Sequence, residues 1–392
     1  MNDQPLRILV AHCRYQQRGG EDAVADAECE LLERHGHRVE RLIRDNRDIG
    51  SGGRAALAAR TLWSARTVRE VAQRVQAFRP HVIHVHNTFP LLSPSLYWAA
   101  ARQGVPVVQT LHNFRLLCAQ AMLLRDGAVC EKCLGGVPWQ GVPGRCYRGS
   151  AAQSAVLVGT LALHRALGTY RDKVTRYIAL NEFCRGKFIE GGLPAERIRV
   201  KPNFVDLPRG EPGPRRGGLY VGRLAPEKGI DVLLGALAQL PRPRLEVIGD
   251  GPERSKLEGQ AGIRLLGWQG PPVIYAHMRR ASYLVMPSIW YENFPRTLVE
   301  AFACGLPVIA SRLGAMAEIV ADGRTGLLFE AGSAAALAQT LAWAEAHPEQ
   351  MQRMGENARR EYEAKYTPAV NYRQLMEIYD DAINAGSIGR AA

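Results

Sequence analysis

Short apolar runs alternate with segments of helical character along most of the chain. In the first half they are LRILVAH, RVERLI, HVIHVH, VPVVQTLH, TRYIAL and RIRVKP; in the second, GLYVG, RLEVIG, IRLLGW, YLVMP, PVIAS and GLLFE. Near-continuous apolar runs of this length suit strands buried on both faces, and the segment from Glu21 to His35 predicts the first crossover helix. Strand-helix alternation predicts an α/β chain with parallel sheets covered by helices. Between the halves lies DLPRGEPGPRRGG, residues 206–218, with three prolines and four glycines, a linker by composition.

The expected architecture is two Rossmann-like, doubly wound domains. An N-terminal domain spans residues 1–206, with an insert at about 114–150, and a linker spans 207–218. A C-terminal domain spans 219–368, and a last helix, 369–392, returns to the N-terminal domain. Such domains place a cleft at the carboxyl ends of both sheets.

Composition changes this picture little. The 392 residues are ample for two cores, and 46% hydrophobic with 22% charged is ordinary for a globular chain. The start, MNDQPLRILVAHCR, lacks the apolar stretch of a signal peptide, so a cytoplasmic location is expected. The longest apolar run, Ala151 to Leu163, is interrupted by Gln153, Ser154 and Thr160 and stopped by His164, short of the ~20 residues that cross a bilayer.

Charge is more informative. Of the net +12, residues 1–206 carry 29 Lys+Arg against 18 Asp+Glu, or +11, and residues 207–392 carry 21 against 20, or +1. The first half is expected to face something anionic: a membrane leaflet, a lipid phosphate or nucleic acid. A solvated arginine-rich surface is the plain alternative. Nucleic acid is disfavoured, since no aromatic-basic motif accompanies the charge.

The candidate chemistry of the second half centres on YENFPRTLVEAFACGLPVIAS, residues 291–311, where seven residues separate Glu292 from Glu300. Pro295 predicts a helix start, with Glu292 in the loop above the sheet and Glu300 more than a turn along. A helix start attracts anions. Two carboxylates there would repel an anion, so they are expected to accept from the vicinal hydroxyls of sugars. The balancing cations appear in LYVGRLAPEKG, where Gly222 ends a strand and the loop presents Arg223 and Lys228, suited to a diphosphate. In VIGDGPE, Gly249 and Gly251 would let backbone approach a ligand closely.

Taken together, GRLAPEKG, GDGPE, LLGW and the paired glutamates followed by AFACGLPVIAS resemble glycosyltransferase family four, the retaining, two-domain GT-B enzymes. The resemblance runs through most of residues 217–330, with the motifs in family order. It implies that Arg223 and Lys228 hold the donor diphosphate and that Glu300 holds the ribose hydroxyls. Glu292, with the backbone around Asn293, Phe294 and Pro295, would bind the transferred hexose. Leu266 of LLGW and Leu298 join the implied donor contacts. Where the family often has Glu-Gly-Phe-Gly, this chain has Glu292-Asn-Phe-Pro295.

In the first half, Gly19-Gly20 between a strand and a helix is not GxGxxG. It resembles the family's glycine-rich first loop, whose backbone approaches donor diphosphate and acceptor; a plain turn is the alternative. His112, directly after a strand in QTLHNF, would contact the donor sugar by resemblance; a core or capping histidine is the alternative. His84 and His86 alternate along one strand and share a face, as a metal pair or a buried structural one. Asn203 in KPNFVD matches the family's turn before the hinge and is architectural.

The insert carries Cys118-x11-Cys130-x2-Cys133-x12-Cys146. Its C-x2-C knuckle suits a tetrahedral structural zinc, with free thiols as the alternative; stable disulfides are not expected in a cytoplasmic protein. Cys13, Cys29, Cys184 and Cys304 are expected as ordinary buried residues.

No D-x-D motif occurs, so metal-independent chemistry is expected, with no cofactor beyond the donor nucleotide. His112, Glu292, Arg223 and Lys228 are the candidate catalytic residues. By resemblance, the chain would move a hexose, with retention, from a UDP- or GDP-sugar to a glycan or lipid-linked acceptor in bacterial polysaccharide or glycolipid assembly. SAVLVGTLALHRALGTYRDK is a candidate membrane-docking stretch. A GT-B sugar-nucleotide epimerase and a non-catalytic sugar-nucleotide-binding protein are the rival readings.

Overall fold

In the computed structural model the chain is described over residues 4–16, 19–49, 53–208, 210 and 213–391. Arg209, Glu211 and Pro212 of the expected linker and Ala392 of the expected last helix lie outside the described residues. The chain divides into two compact units. One takes the residues up to Leu123, Glu131–Pro202 and Asn371 onward; the other takes Leu124–Cys130 and Asn203–Val370.

All twelve apolar runs become strands. In the first unit these are β1 (Arg7–Arg14), β2 (Arg38–Asp45), β3 (Val82–Asn87) and β4 (Val107–Thr110). After a short antiparallel hairpin, β5 (Leu124–Arg125) with β6 (Ala128–Val129), come β7 (Arg176–Ala179) and β8 (Ile198–Val200). The six pair in parallel in the order β2-β1-β3-β4-β7-β8. The second unit holds β9 (Gly218–Val221), β10 (Leu245–Ile248), β11 (Ile263–Gly267), β12 (Tyr283–Met286), β13 (Val308–Ser311) and β14 (Gly326–Phe329). These are also parallel, in the order β11-β10-β9-β12-β13-β14. Each sheet reverses its winding once, between β1 and β3 and between β9 and β12. A parallel sheet opens its ligand crevice at such a point, beyond the carboxyl ends of the strands.

Two helices complete the core of the first unit. Gly20–Arg34 buries Val24, Ala25, Cys29, Leu31 and Leu32. Pro368–Ala391 lays Leu375, Met376, Ile378, Tyr379 and Ala382 among Ile8, Val10, Val82, Val108 and Ile178. Each large apolar side chain removed from water contributes about 1.5–3 kcal/mol, so the far end of the chain is part of this core. The candidate docking stretch forms most of Ala151–Ala166, a helix that buries Leu157, Val158, Leu161 and His164. Among the described residues no helix is long and apolar enough to cross a membrane.

The apolar core encloses a polar cluster. Lys201 Nζ donates to Glu28 Oε1 at 2.5 Å, and both side chains are essentially inaccessible. His84 joins Tyr379 OH through Nδ1 (2.7 Å) and Thr110 Oγ1 through Nε2 (2.8 Å). Burial pushes the His84 imidazole down to about 4, so it is neutral near pH 7. Between the ordinary histidine value and about 4, the unfolded chain takes up a proton that the folded chain refuses. Folding stability is therefore full above the ordinary value and falls as pH drops through this window, by about 1.4 kcal/mol per pH unit for this residue. Urea unfolding followed by circular dichroism from about pH 7 to pH 4.5 is expected to show this loss. His84→Gln should flatten the slope while lowering stability at pH 7, and equal slopes in the two proteins would contradict the assignment.

Candidate functional site

The second unit's site grows from the two loops that leave its reversal point. The loop after β9 runs from Gly222 to Gly229. Gly229 has φ of 72°, and a Cβ there would lie 1.9 Å from the carbonyl oxygen of Pro287, just past β12. Only glycine lets these two loops touch. Across the contact, Lys228 Nζ donates to Glu292 Oε1 at 2.6 Å, and Ser288 Oγ (2.8 Å) and Trp290 Nε1 (3.1 Å) donate to the same oxygen. Lys228 also sits 5.3 Å from the centre of the Trp290 ring. Glu292 is buried and the lysine side chain retains 23% exposure. One carboxylate oxygen thus gathers three donors.

Arg223 pairs with Glu227, and its carbonyl accepts from Tyr220 OH at 3.0 Å. Its side chain is 63% exposed, whereas that of Glu227 is only 10% exposed, so the guanidinium reaches solvent from a largely buried carboxylate. Glu300 lies in the helix Arg296–Ala303, with Pro295 as the residue before its first turn. The Arg296 guanidinium is 3.1 Å away and Tyr275 OH donates at 3.4 Å. Burial raises the Glu300 carboxyl above its ordinary range, against the lowering effect of Arg296. The same burial, reinforced by the Glu300 charge, pushes the Tyr275 hydroxyl up to about 12.

In the first unit, the loop after β1 reaches Gly19, whose N–H donates to Asp22 Oδ2 at 2.8 Å, and Gly20 opens the following helix. Asp22 also receives His12 Nε2 at 2.7 Å. Glu21 accepts from Tyr15 OH (2.9 Å) and Asn113 Nδ2 (2.6 Å), and burial raises its carboxyl. His112, two residues beyond β4, is buried with Nε2 2.8 Å from His86 Nδ1. Burial, reinforced by neighbouring histidines and Lys201, holds His86 and His112 well below the ordinary histidine range.

Known proteins match both units. The profile described as "Glycosyl transferases group 1" matches residues 209–361, and that described as "Glycosyl transferase 4-like domain" matches 19–203. A phosphatidyl-myo-inositol mannosyltransferase of Mycobacterium leprae is 32% identical over 239 residues, 56% of this chain and 63% of that protein. The chain spans about half to two thirds of the length of the curated relatives it matches. Among solved structures, a sucrose-phosphate synthase of Thermosynechococcus elongatus superposes with a TM-score of 0.72 at 21% identity, covering 97% of this chain and all of that one. Anabaena HepE, in complex with UDP and glucose, superposes at 0.64 and 20%, covering 95% and 98%. The chain belongs to the family-four glycosyltransferases.

The geometry of this family-four chain sorts the candidate residues. Arg223, Lys228 and Glu292 stand together on the loops after β9 and β12, with Glu300 on the adjoining helix. Asn293 is buried in the same loop, and half-buried Phe294 packs on the core with its ring 6.1 Å from that of Tyr366. Leu298 lies wholly inside the core, so its side chain is a packing element, and Leu266 packs half-buried against the same cluster. Gly249 and Gly251 each lie against neighbouring backbone. A Cβ at Gly249 would lie 1.9 Å from Gly222 O, and one at Gly251 2.3 Å from Leu224 O. These glycines let the loop after β10 lie on the backbone of the loop after β9.

The four insert cysteines are not gathered into a ligand set. Among the described residues the group close enough to share an ion is Glu28, His84 and His86, and there Lys201 already neutralises the carboxylate. Glu21, Asp22, Asn113, Glu227 and Arg296 were not singled out from sequence; the first two directly follow Gly19-Gly20, and that adjacency was the available signal.

Glu300 generates a pH prediction. Its raised carboxyl protonates at a higher pH than an exposed glutamate, and protonation removes the charge that hydroxyl donors favour. Donor affinity, measured by calorimetry, is expected to fall as pH drops through that raised value. Glu300→Gln should weaken binding by about 1.5–3 kcal/mol and remove the dependence. An unchanged pH profile in the variant would exclude Glu300 from donor binding.

Proposed function

We propose that this glycosyltransferase moves a hexose from a nucleotide diphosphate sugar, UDP- or GDP-linked, to a glycan or lipid-linked acceptor with retention at the anomeric carbon. The observation that carries the reading is the Lys228–Glu292 pair at the winding reversal, with Arg223 and Glu300 beside it: cations for a diphosphate and carboxylates for the sugars on either side. The UDP and glucose held by HepE support such a donor.

In the proposed step, the acceptor oxygen bonds to the anomeric carbon on the face from which the diphosphate departs. The carbon–oxygen bond to the diphosphate breaks, and the acceptor hydroxyl's proton passes to the leaving phosphate oxygen. Charge developing on the diphosphate falls on Arg223, Lys228 and the start of helix Arg296–Ala303. Electrostatic stabilisation of this kind is the principal catalytic contribution, and it requires no metal ion. Glu292 and His112 are assigned to the transferred hexose. The acceptor is assigned to the first unit, whose half of the chain carries the +11 charge. Attraction to an anionic leaflet places the chain at the inner face of a membrane, as a peripheral protein.

Thermal shift against UDP-, GDP- and ADP-sugars should identify the donor. With it, Lys228→Ala is expected to lower turnover by about 10²–10³, and Arg223→Ala with Lys228→Ala by more. NMR of the product should show the donor's anomeric configuration. An inverted product would end the retaining mechanism; acceptor-free conversion of the donor would indicate an epimerase, and binding without turnover a sensor.

A further inference from the structure

The first unit holds a cavity of about 820 Å³ that neither the donor residues nor the histidine cluster uses. Such a volume lies within the range of sites that bury small organic ligands. Tyr15, tied to Glu21 beside the glycine loop, forms part of its lining, so the cavity adjoins the loop after β1. One wall is apolar: Ile49, Leu57, Phe89, Pro90, Val156 and Leu157, drawn largely from the packed helices Arg54–Leu62 and Ala151–Ala166.

Opposite chemistry comes from two arginines. The Arg115 guanidinium lies 4.9 Å from the Phe89 ring centre and 5.4 Å from that of Tyr147, and Arg148 lies 5.4 Å from the Tyr147 ring. Tyr147 thus stands between two cations. Its backbone N–H donates to Ser154 Oγ at 2.9 Å, which anchors this segment to the helix below. Arg115 NH1 donates to the Ala119 carbonyl at 2.5 Å. Neither arginine has a carboxylate within 4 Å among the described residues, in contrast to Arg223 and Lys228. Glu21, which feels the Arg115 charge, gives its oxygens to Tyr15 and Asn113. Stacked guanidinium planes keep their N–H fork oriented, and the fork matches a phosphate.

A second observation concerns the outer surface. Of the eight exposed large apolar side chains among the described residues, Leu163 lies on the helix Ala151–Ala166 and Leu167 immediately after it. Trp63, Val137 and Trp139 belong to segments that contact this helix. Trp63 stacks on His164 at 6.3 Å, and Arg165 holds the carbonyl of Gly136. Apolar surface gathered on the element that also walls the cavity suits a ligand with a hydrocarbon part.

We propose that this cavity seats the acceptor and that the acceptor is a lipid phosphate: phosphate against Arg115 and Arg148, hydrocarbon along Ile49, Leu57, Val156 and Leu157. The inference rests on the glycosyl-transfer reading and names the substrate class of that reaction. The test uses the full chain and dodecyl phosphate below its micellar concentration, with dodecyl maltoside and inorganic phosphate as comparisons, read by calorimetry. Dodecyl phosphate is expected to bind at least about tenfold tighter than either. Arg115→Ala and Arg148→Ala should each lose about tenfold toward dodecyl phosphate and leave the maltoside unchanged. Arg115→Lys, which keeps the charge without the fork, should fall between, and Val156→Glu should weaken dodecyl phosphate without affecting inorganic phosphate. Equal affinity for the maltoside, or for inorganic phosphate, overturns the assignment. Thermal shift by UDP and GDP on the same preparations reports on folding and on the donor reading. No shift in the wild type counts against glycosyl transfer, whereas an intact shift with no preference for dodecyl phosphate removes the acceptor assignment alone.

Discussion

The second unit depends on one reversal of strand order. Because β9 has β10 on one side and β12 on the other, the connections leaving β9 and β12 wind in opposite senses, and backbone cannot fill the space where they diverge. The loops approach again at Gly229 and Pro287, where the absence of a side chain permits contact. That contact brings Lys228 to Glu292 across 64 residues of sequence. Without the reversal there would be no crevice, and without the glycine the cation and carboxylate would not meet.

The two cations then differ in kind. Lys228 is held by a buried carboxylate that Ser288 and Trp290 also serve, and breaking such a pair leaves a charge uncompensated. It is a fixed positive centre, oriented before any ligand arrives. Arg223 is mostly exposed, while its partner Glu227 is largely buried, so the guanidinium faces solvent from a carboxylate that does not. Each cation is thus held by a largely buried carboxylate, and Arg223 is the more exposed of the two.

The strands were legible because burial on both faces demands unbroken apolar runs, and all twelve runs became strands. The loop chemistry was legible as far as the residues Arg223, Lys228 and Glu292 themselves, which stand together on the two loops. It was not legible where the partner came from a distant element. Lys201 looks like an ordinary strand-end lysine until Glu28 is seen beside it, 173 residues away. Glu28 did leave a trace, since it falls among Val24, Ala25, Cys29 and Leu32 on the apolar face of its helix, where a carboxylate needs a partner. Leu298 shows the converse: a residue inside a motif can have its side chain in the core. For the cysteines, sequence spacing constrains only near neighbours, and C-x2-C says nothing about where two further thiols lie.

The histidine row in the first unit shows how burial can set a functional group. His86 and His112 share a hydrogen bond between Nδ1 and Nε2, and both are held neutral by burial and by the cations and histidines around them. A neutral pair has one proton in that bond, so the tautomer of one ring fixes that of the other. His86 Nε2 lies 3.6 Å from Glu28 Oε2, which favours the proton on that nitrogen and leaves Nδ1 to accept. With the proton placed so, His112 donates through Nε2 and its Nδ1 is an acceptor. A charged imidazole could offer only donors, so the buried Glu28–Lys201 pair, one histidine away from His112, bears on which hydrogen bonds that ring can make.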